Sequence, residues 1–219
     1  MKNNIKSLSE HESKRLLAGY GIPVTREILA HTGAGAVAAA REIGFPVAVK
    51  ACGKTLVHKT ESDAVFLNIG DEAGVNQAFE RISENLSARI DGVLVQEMVT
   101  GIRELVIGLH REPHFGPCVM LGAGGVTAEL INDTSFRVAP IDEIEAGDMM
   151  NDLASRAMLE SFRGQAPVDR KSLCRCLTAM GQIGLEHDEV YEIDINPMII
   201  KNDGQICAAD ALVVVRGKN

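Results

Sequence analysis

The residues best suited to chemistry lie near the C-terminus, from Tyr191 to Asp210, YEIDINPMIIKNDGQICAAD. The run Tyr191-Glu192-Ile193-Asp194-Ile195-Asn196 alternates polar and apolar, so a strand here puts Glu192, Asp194 and Asn196 on one face and Ile193 and Ile195 toward a core. Pro197 has no N–H to give to a ladder and belongs where pairing breaks or bulges. Asn202-Asp203-Gly204 tolerates positive φ, which is hairpin-turn chemistry. Folding about that turn brings the returning strand, Gln205 to Val215, back along the first, with Asp210 beside Asn196. Carboxylate and amide oxygens are the hard ligands Mg²⁺ takes while keeping waters and substrate phosphates in its other positions. An edge hairpin with solvated carboxylates fits the same residues, because polar alternation is ordinary in antiparallel sheets. The stretch alone leaves both readings open.

Other candidates are spread along the chain. Lys50 ends an apolar strand, where a lysine either snorkels to water or offers its ammonium to a ligand. The polar loop after it, Gly53-Lys54-Thr55-Leu56-Val57-His58-Lys59-Thr60-Glu61-Ser62, combines a glycine, ammonium groups, hydroxyls and a histidine. Such loops wrap phosphates with backbone N–H groups and positive charge. It follows neither the Walker A pattern nor GxGxxG. Gln96-Glu97-Met98-Val99 is the apparent link between two halves, where backbone groups can read an adenine edge. Glu104 is placed to accept from ribose hydroxyls, although a glutamate at a strand end is ordinarily just solvated. Arg137, inside Ser135-Phe136-Arg137-Val138-Ala139-Pro140, needs an anionic partner amid apolar neighbours, and a structural carboxylate serves as well as a phosphate.

The elements that must position these groups can be read in order. Ser9 and Glu12 make a capping box for a helix over 10–18. A strand over 24–30, an alanine-rich helix over 34–43 stopped by Gly44, and strands over 45–51 and 64–69 follow. The apolar spacing of Val75, Ala78, Phe79, Ile82 and Leu86 predicts a helix between Asp71 and Arg89. Strands are expected over 92–99, 104–110, 118–121, 126–131 and 137–139, with Gly122-Ala123-Gly124-Gly125 as a glycine-rich turn. Helices are expected over 142–152, 155–162 and 169–184, before the final hairpin. The domain reading is an N-terminal helical segment over 1–22, a unit over 23–97 and a second over 98–215, with Thr100-Gly101 as a hinge.

Composition narrows the function class. At 219 residues, 46% hydrophobic and 24% charged, the chain has ordinary globular composition and length for a substantial core. A net charge of −8 argues against a nucleic-acid surface built on phosphate contacts. Five cysteines without zinc-ribbon spacing, including Cys174 and Cys176, read as packing residues. The first residues have no signal-peptide core, and nowhere do 18 apolar residues run together. The expectation is a soluble, reduced, cytoplasmic protein with no membrane partner.

Several ordered segments then share one resemblance: LAGYGIP (Leu17 to Pro23), FPVAVK (Phe45 to Lys50), LVHKT (Leu56 to Thr60), Gly92 to Val99, GIRELVIG (Gly101 to Gly108), GAGGVTAELINDTSFRVAP (Gly122 to Pro140) and EIDINP (Glu192 to Pro197). Together they resemble the ATP-grasp subunit of ADP-forming acyl-CoA synthetases, relatives of the succinyl-CoA synthetase β chain, over about Ser9 to Val215. The resemblance implies an α+β ATP-grasp fold of two α/β subdomains with the nucleotide in the cleft between them. It implies that Lys50 meets phosphates with Lys59 nearby, that Glu97, Met98 and Val99 hold the adenine, and that Glu104, Gly124 and Gly125 also serve ATP. Asn196 and Asp210 match the magnesium ligands, and His58 and Arg137 fall where phosphate is relayed and transferred. It further implies a hetero-oligomer with a CoA-binding α subunit, since this chain has no CoA-binding fold of its own.

One departure stands out. The family's HK(S/T) element runs on into a GGV turn, and here Asp63-Ala64 replaces the glycine pair. A Cβ where positive φ is needed costs about a kcal/mol or more, and a carboxylate beside a triphosphate is unfavourable unless offset. Two readings follow: a catalytic subunit, or a non-catalytic nucleotide-binding regulatory module with a degraded phosphate loop.

Overall fold

The computed structural model describes residues 5–54, 64–86, 90–125 and 133–217. The chain divides into two compact units, one of Ser7–Ser13 with Thr25–Met98, the other of Met1–Lys6, Lys14–Val24 and Val99–Asn219. Residues 1–22, read from the sequence as a segment of their own, are shared between them. Strand β1 (Ile5–Ser7) was not expected; three residues carry no periodicity, and the strand exists by pairing at the edge of the larger sheet. Helix α1 (Glu10–Gly19) starts at the expected capping box: the Ser9 N–H donates to Glu12 at 3.0 Å and the Glu12 N–H to Ser9 Oγ at 3.3 Å.

The smaller unit contains β2 (Glu27–Ala30), α2 (Gly33–Ile43), β3 (Val47–Cys52), β4 (Val65–Ile69), α3 (Glu72–Leu86) and β5 (Gly92–Glu97). Its sheet is antiparallel in the order β2-β5-β3-β4. Thr32 caps α2 by accepting the Gly35 N–H, and Gly44, at φ 94°, ends it. On α3 the buried residues are Val75, Ala78, Ile82 and Leu86, the stripe that the spacing predicts. Fully burying each large aliphatic side chain of that stripe contributes about 1.5–3 kcal/mol. Val47, Val49 and Ala51 of β3 join this core, so Ala48, Lys50 and Cys52 point to the other face of the sheet.

The larger unit contains β6 (Arg103–Glu112), β7 (Gly116–Ala123), β8 (Thr134–Val138), α4 (Glu143–Asp152), α5 (Arg170–Glu186), β9 (Val190–Ile200), β10 (Ile206–Ala208) and β11 (Ala211–Arg216). Its sheet runs β1-β11-β9-β6-β7-β8, with β10 also on β9. Leu105, Ile107, Leu109, Val119, Leu121, Ile193 and Ile195 are buried on one face, against which α5 packs with Leu173, Cys176, Leu177, Met180 and Ile183. Cys176 is therefore a core residue, and burial pushes its thiol up to about 12. The helix expected over 155–162 reduces to a single 3₁₀ turn, Arg156–Leu159, followed by a looped strap to Asp169. The strand expected over 126–131 lies outside the described residues.

The final hairpin turns at residues 201–204, where Gly204, at φ 87°, donates to the Lys201 carbonyl at 3.0 Å. A Cβ there would also collide with the Pro167 carbonyl. Gly204→Ala is thus expected to destabilise the chain by about 2–3 kcal/mol, read as a lowered midpoint in urea unfolding.

Candidate functional site

The hairpin brings its oxygen donors together as the alternation requires. Ile193 and Ile195 are buried, while Glu192, Asp194 and Asn196 emerge on the opposite, outer face of the larger sheet. Ile107 pairs with Ile195 and Leu105 with Met198, so β9 uses three residues where β6 uses two, and the bulge falls at Asn196-Pro197. The returning chain is broken between β10 and β11, and Asp210 sits in that break. The Asn196 N–H donates to the Asp210 carbonyl at 3.3 Å, and the Ala209 N–H to the Pro197 carbonyl at 3.0 Å. Asn196 and Asp210 are therefore held side by side through their backbones, leaving the roles of their side chains to be set locally. The Asp210 carboxylate accepts the Ala211 N–H at 2.8 Å.

Three further candidates converge on the same unit. Gly124 donates its N–H to the Glu104 carbonyl at 2.8 Å, and a Cβ on Gly124 would lie 3.0 Å from that oxygen. Gly125, at φ 86°, has Glu104 Oε2 3.6 Å from where its Cβ would stand. The glycine-rich turn thus lets the backbone close over Glu104. Along β6, Glu104, Gly108 and His110 alternate with the buried Leu105, Ile107 and Leu109. The outer face holds a cavity of about 360 Å³ lined by Gly108, His110, Cys118, Met120, Phe136, Glu192 and Asp194, among others. Gly108 is cross-strand from both Met120 and Asp194, so its missing side chain forms the floor. One wall is apolar and the other acidic. Nothing in the hairpin sequence pointed to this cavity; the signal was the polar and glycine alternation within β6.

The acidic wall is under electrostatic tension. Burial, then the neighbouring charges of Glu192 and Asp210, hold the Asp194 carboxyl above its ordinary value. A divalent cation would relieve that repulsion, and the donors present are the oxygen set Mg²⁺ prefers. Among the described residues no three His, Cys, Asp or Glu side chains form a metal cage by themselves.

Arg137 is not on this face. It alternates with Phe136 and Val138, which are exposed on the outer side, and its guanidinium donates to Asp152 Oδ2 of α4 at 2.7 Å. That contact holds the Asp152 carboxyl below its ordinary value. Of the two readings the sequence left open, the structure supplies the salt bridge. Lys50 is also differently placed: it lies inside β3, not at its end, is 5% exposed, and its Nζ is 2.8 Å from Glu10 Oε1. The Glu97 carboxylate is engaged by the Arg26 N–H at 2.9 Å and Arg26 Nε at 3.0 Å, which leaves the backbone of 97–99 as the part suited to a base. Met98 and Val99 are half-buried and follow β5 without regular structure. His58, Lys59 and Asp63 lie outside the described residues. Ala64 does not: it is 1% exposed, belongs to the core of the smaller unit, and its carbonyl accepts the Ala51 N–H at 2.7 Å. The methyl that replaces the family glycine is packed there, contributing apolar contact.

The sequence reading did not single out Arg103, which precedes Glu104 on β6. It is buried, and it donates to the Met158, Glu160 and Ala166 carbonyls at 3.0, 2.8 and 2.6 Å. Its Nε, with Gln165 Oε1, is a buried polar atom without a partner among the described residues.

Comparison with known proteins fits this geometry. Residues 1–215 match the ATP-grasp domain family. The β subunit of acetate–CoA ligase (ADP-forming) I from Pyrococcus furiosus is 36% identical over 215 residues, covering 96% of this chain and 92% of that one. This chain belongs to the ATP-grasp β subunits of ADP-forming acyl-CoA synthetases. Within that family some relatives are longer: 4-hydroxybutyrate–CoA ligase (ADP-forming) of Nitrosopumilus maritimus is 36% identical over 94% of this chain, which spans 30% of the ligase's length. Among solved structures, acetyl-coenzyme A synthetase 1 of Ca. Korarchaeum cryptofilum superposes with a TM-score of 0.89 at 42% identity, over 96% of this chain and 94% of that one, in a complex with coenzyme A and Ca-AMPCP. A second structure of that enzyme, with a TM-score of 0.84, holds Mg-AMPPCP with its phosphohistidine segment pointing towards the nucleotide-binding site. The ATP-grasp fold and the α+β class expected from the sequence are those observed. No helix among the described residues of this β subunit is long and apolar enough to cross a membrane.

Proposed function

We propose that this chain is the ATP- and Mg²⁺-binding subunit of an acid–CoA ligase (ADP-forming), working with a CoA-binding α subunit. The reaction interconverts acyl-CoA, ADP and phosphate with acid, CoA and ATP, through phosphoryl transfer between ATP/ADP and a histidine. The observation that carries the reading is the apposition of Asn196 and Asp210 at the β9 bulge, on the same face as Glu104 and the Gly124-Gly125 turn. Asn196 and Asp210 would hold Mg²⁺, which supplies charge neutralisation for the phosphates when bound. Glu104 accepts from the ribose, Gly124 and Gly125 let the backbone approach the phosphates, and the 97–99 backbone reads the base. Lys50 and Lys59 offer ammonium charge to the phosphates, since such transfer depends mainly on positioning and neutralisation. His58 serves as a nucleophilic relay for the phosphoryl group through a ring nitrogen. Arg137, which rests on Asp152 in the ligand-free chain, would turn its guanidinium to the transferring phosphoryl group, where a planar fork stabilises developing negative charge. The regulatory-module alternative rests on Asp63-Ala64 in place of the family glycines; the methyl at position 64 is packed in the core of the smaller unit, and a module of that kind would bind Mg·ATP without acquiring label in the test below.

The test is calorimetric titration of ATP with Mg²⁺ and with chelator, then incubation with labelled ATP and the α subunit. Binding of micromolar strength, roughly −7 to −8 kcal/mol, is expected with Mg²⁺ and much weaker binding without it. Equal affinity in both buffers would remove the metal assignment. An acid-labile phosphate should appear on the wild-type chain and be missing from His58→Ala; label that persists in the variant rules His58 out.

A further inference from the structure

We infer that Arg103 is a positioning residue for the nucleotide–metal site, acting through the strap between Arg156 and Asp169. The inference rests on the assignment of Asn196, Asp210 and Glu104 to that site. Arg103 and Glu104 are successive residues of β6, so their side chains leave opposite faces of one strand. Glu104 lies with the Gly124-Gly125 turn, while Arg103 grips the strap through the carbonyls of Met158, Glu160 and Ala166.

The strap is in turn fastened to the turn of the metal hairpin. The Ala166 N–H donates to the Asn202 carbonyl at 2.9 Å, the Asp169 N–H to the Gly204 carbonyl at 2.8 Å, and Gln165 Nε2 to Asn202 Oδ1 at 3.0 Å. Cross-strand, Arg103 pairs with Ile200, the last residue of β9 before that turn. One guanidinium therefore links the start of β6, where Glu104 stands, to the loop that separates Asn196 from Asp210. The strap has little regular structure of its own, so its path depends on these ties. Arg103 makes three such bonds while its Nε is buried without an acceptor among the described residues. The planar fork of a guanidinium holds three carbonyls in one place, which a single flexible ammonium cannot do.

The mechanism predicts a defect in metal-dependent binding, beyond any loss of fold. A lysine keeps the charge but cannot span three carbonyls with a planar fork. In Arg103→Lys, measured on the full chain well below its unfolding temperature, affinity for ATP in chelator should stay within about twofold of wild type. The extra affinity conferred by Mg²⁺ should fall about tenfold, the scale typical of residues that orient metal ligands from behind. Amide hydrogen exchange at Ala166, Asp169 and Gly204 should quicken while the α5 core remains protected. If Arg103→Lys folds and keeps the wild-type Mg²⁺ increment, the inference is wrong. A wild-type chain with no Mg²⁺ increment overturns the site assignment and this inference together. Should Arg103→Lys fail to fold, Gln165→Ala keeps the guanidinium and removes one tie between strap and turn. A two- to threefold loss of the Mg²⁺ increment is then expected on the same physical scale, and no loss overturns the role of the strap.

Discussion

Glu10→Ala is expected to destabilise this chain by about 3–5 kcal/mol, the range for breaking a buried ion pair from one side. Lys50 and Glu10 meet at 2.8 Å with their side chains 7% and 2% exposed. Neither charge has bulk water to fall back on, so removing the carboxylate takes from the buried ammonium its partner at 2.8 Å. Guanidinium unfolding monitored by circular dichroism reads the loss. Glu10→Gln, which keeps an acceptor but not the charge, should cost less. The double change Glu10→Leu with Lys50→Met should recover most of the stability, since apolar replacement of a whole buried pair is often neutral or favourable. That double variant separates structure from function: it should fold, yet bind Mg·ATP more weakly, because the ammonium proposed for the phosphates is gone. A Glu10→Ala protein within about 1 kcal/mol of wild type would show the pair to be solvated in practice.

Glu10 carries no local signature of its partner in the sequence. Its neighbours Ser9 and Glu12 announce a helix start, and both the capping box and the helix are present. Nothing local says that the residue between them will meet a lysine forty positions later. The same limit applies to Arg137. The sequence showed that a charge amid apolar neighbours needs a partner, but which partner depends on the face of β8 it leaves and on where α4 lies. Where the physics is local and periodic, structure follows sequence: the α3 stripe, the Gly44 stop, the alternation of β9 and the bulge at Pro197 are all where spacing and proline chemistry require. The helix over 155–162 failed for a related reason. That segment is held by Arg103 and the hairpin turn, so tertiary bonds, not its own propensity, decide its path. At Ala64, which stands where the family has a glycine, the added methyl is packed in the core of the smaller unit, a placement that no local signal in the sequence announces.

Asp210→Ala is expected to weaken Mg·ATP binding about 30-fold or more, on the order of 2 kcal/mol, while leaving the metal-free fold close to wild type. The two halves of that expectation have separate causes. The bridge between the strands is made by the Asp210 carbonyl accepting from Asn196, a backbone contact alanine retains. What disappears is the carboxylate, with its hydrogen bond from the Ala211 N–H and its negative charge. Losing the hydrogen bond costs roughly 1 kcal/mol. Losing the charge gives some of that back, because Asp210 is one of the neighbours that, after burial, hold the Asp194 carboxyl up. The sign follows from linkage. With its folded pKa raised, Asp194 keeps a proton more firmly in the folded chain than in the unfolded one. Its contribution to stability is present at acid pH and lost as pH rises above the ordinary aspartate value of 3.8 through the folded pKa. In Asp210→Ala one cause of that rise is removed, so the metal-free melting temperature should fall less steeply with pH over the same window. Melting curves in chelator across that range, set beside Mg·ATP titrations at neutral pH, read both effects on one preparation. Intact Mg·ATP affinity in Asp210→Ala would place the cation elsewhere on the acidic face, and an unchanged pH slope would mean that Asp210 does not act on Asp194.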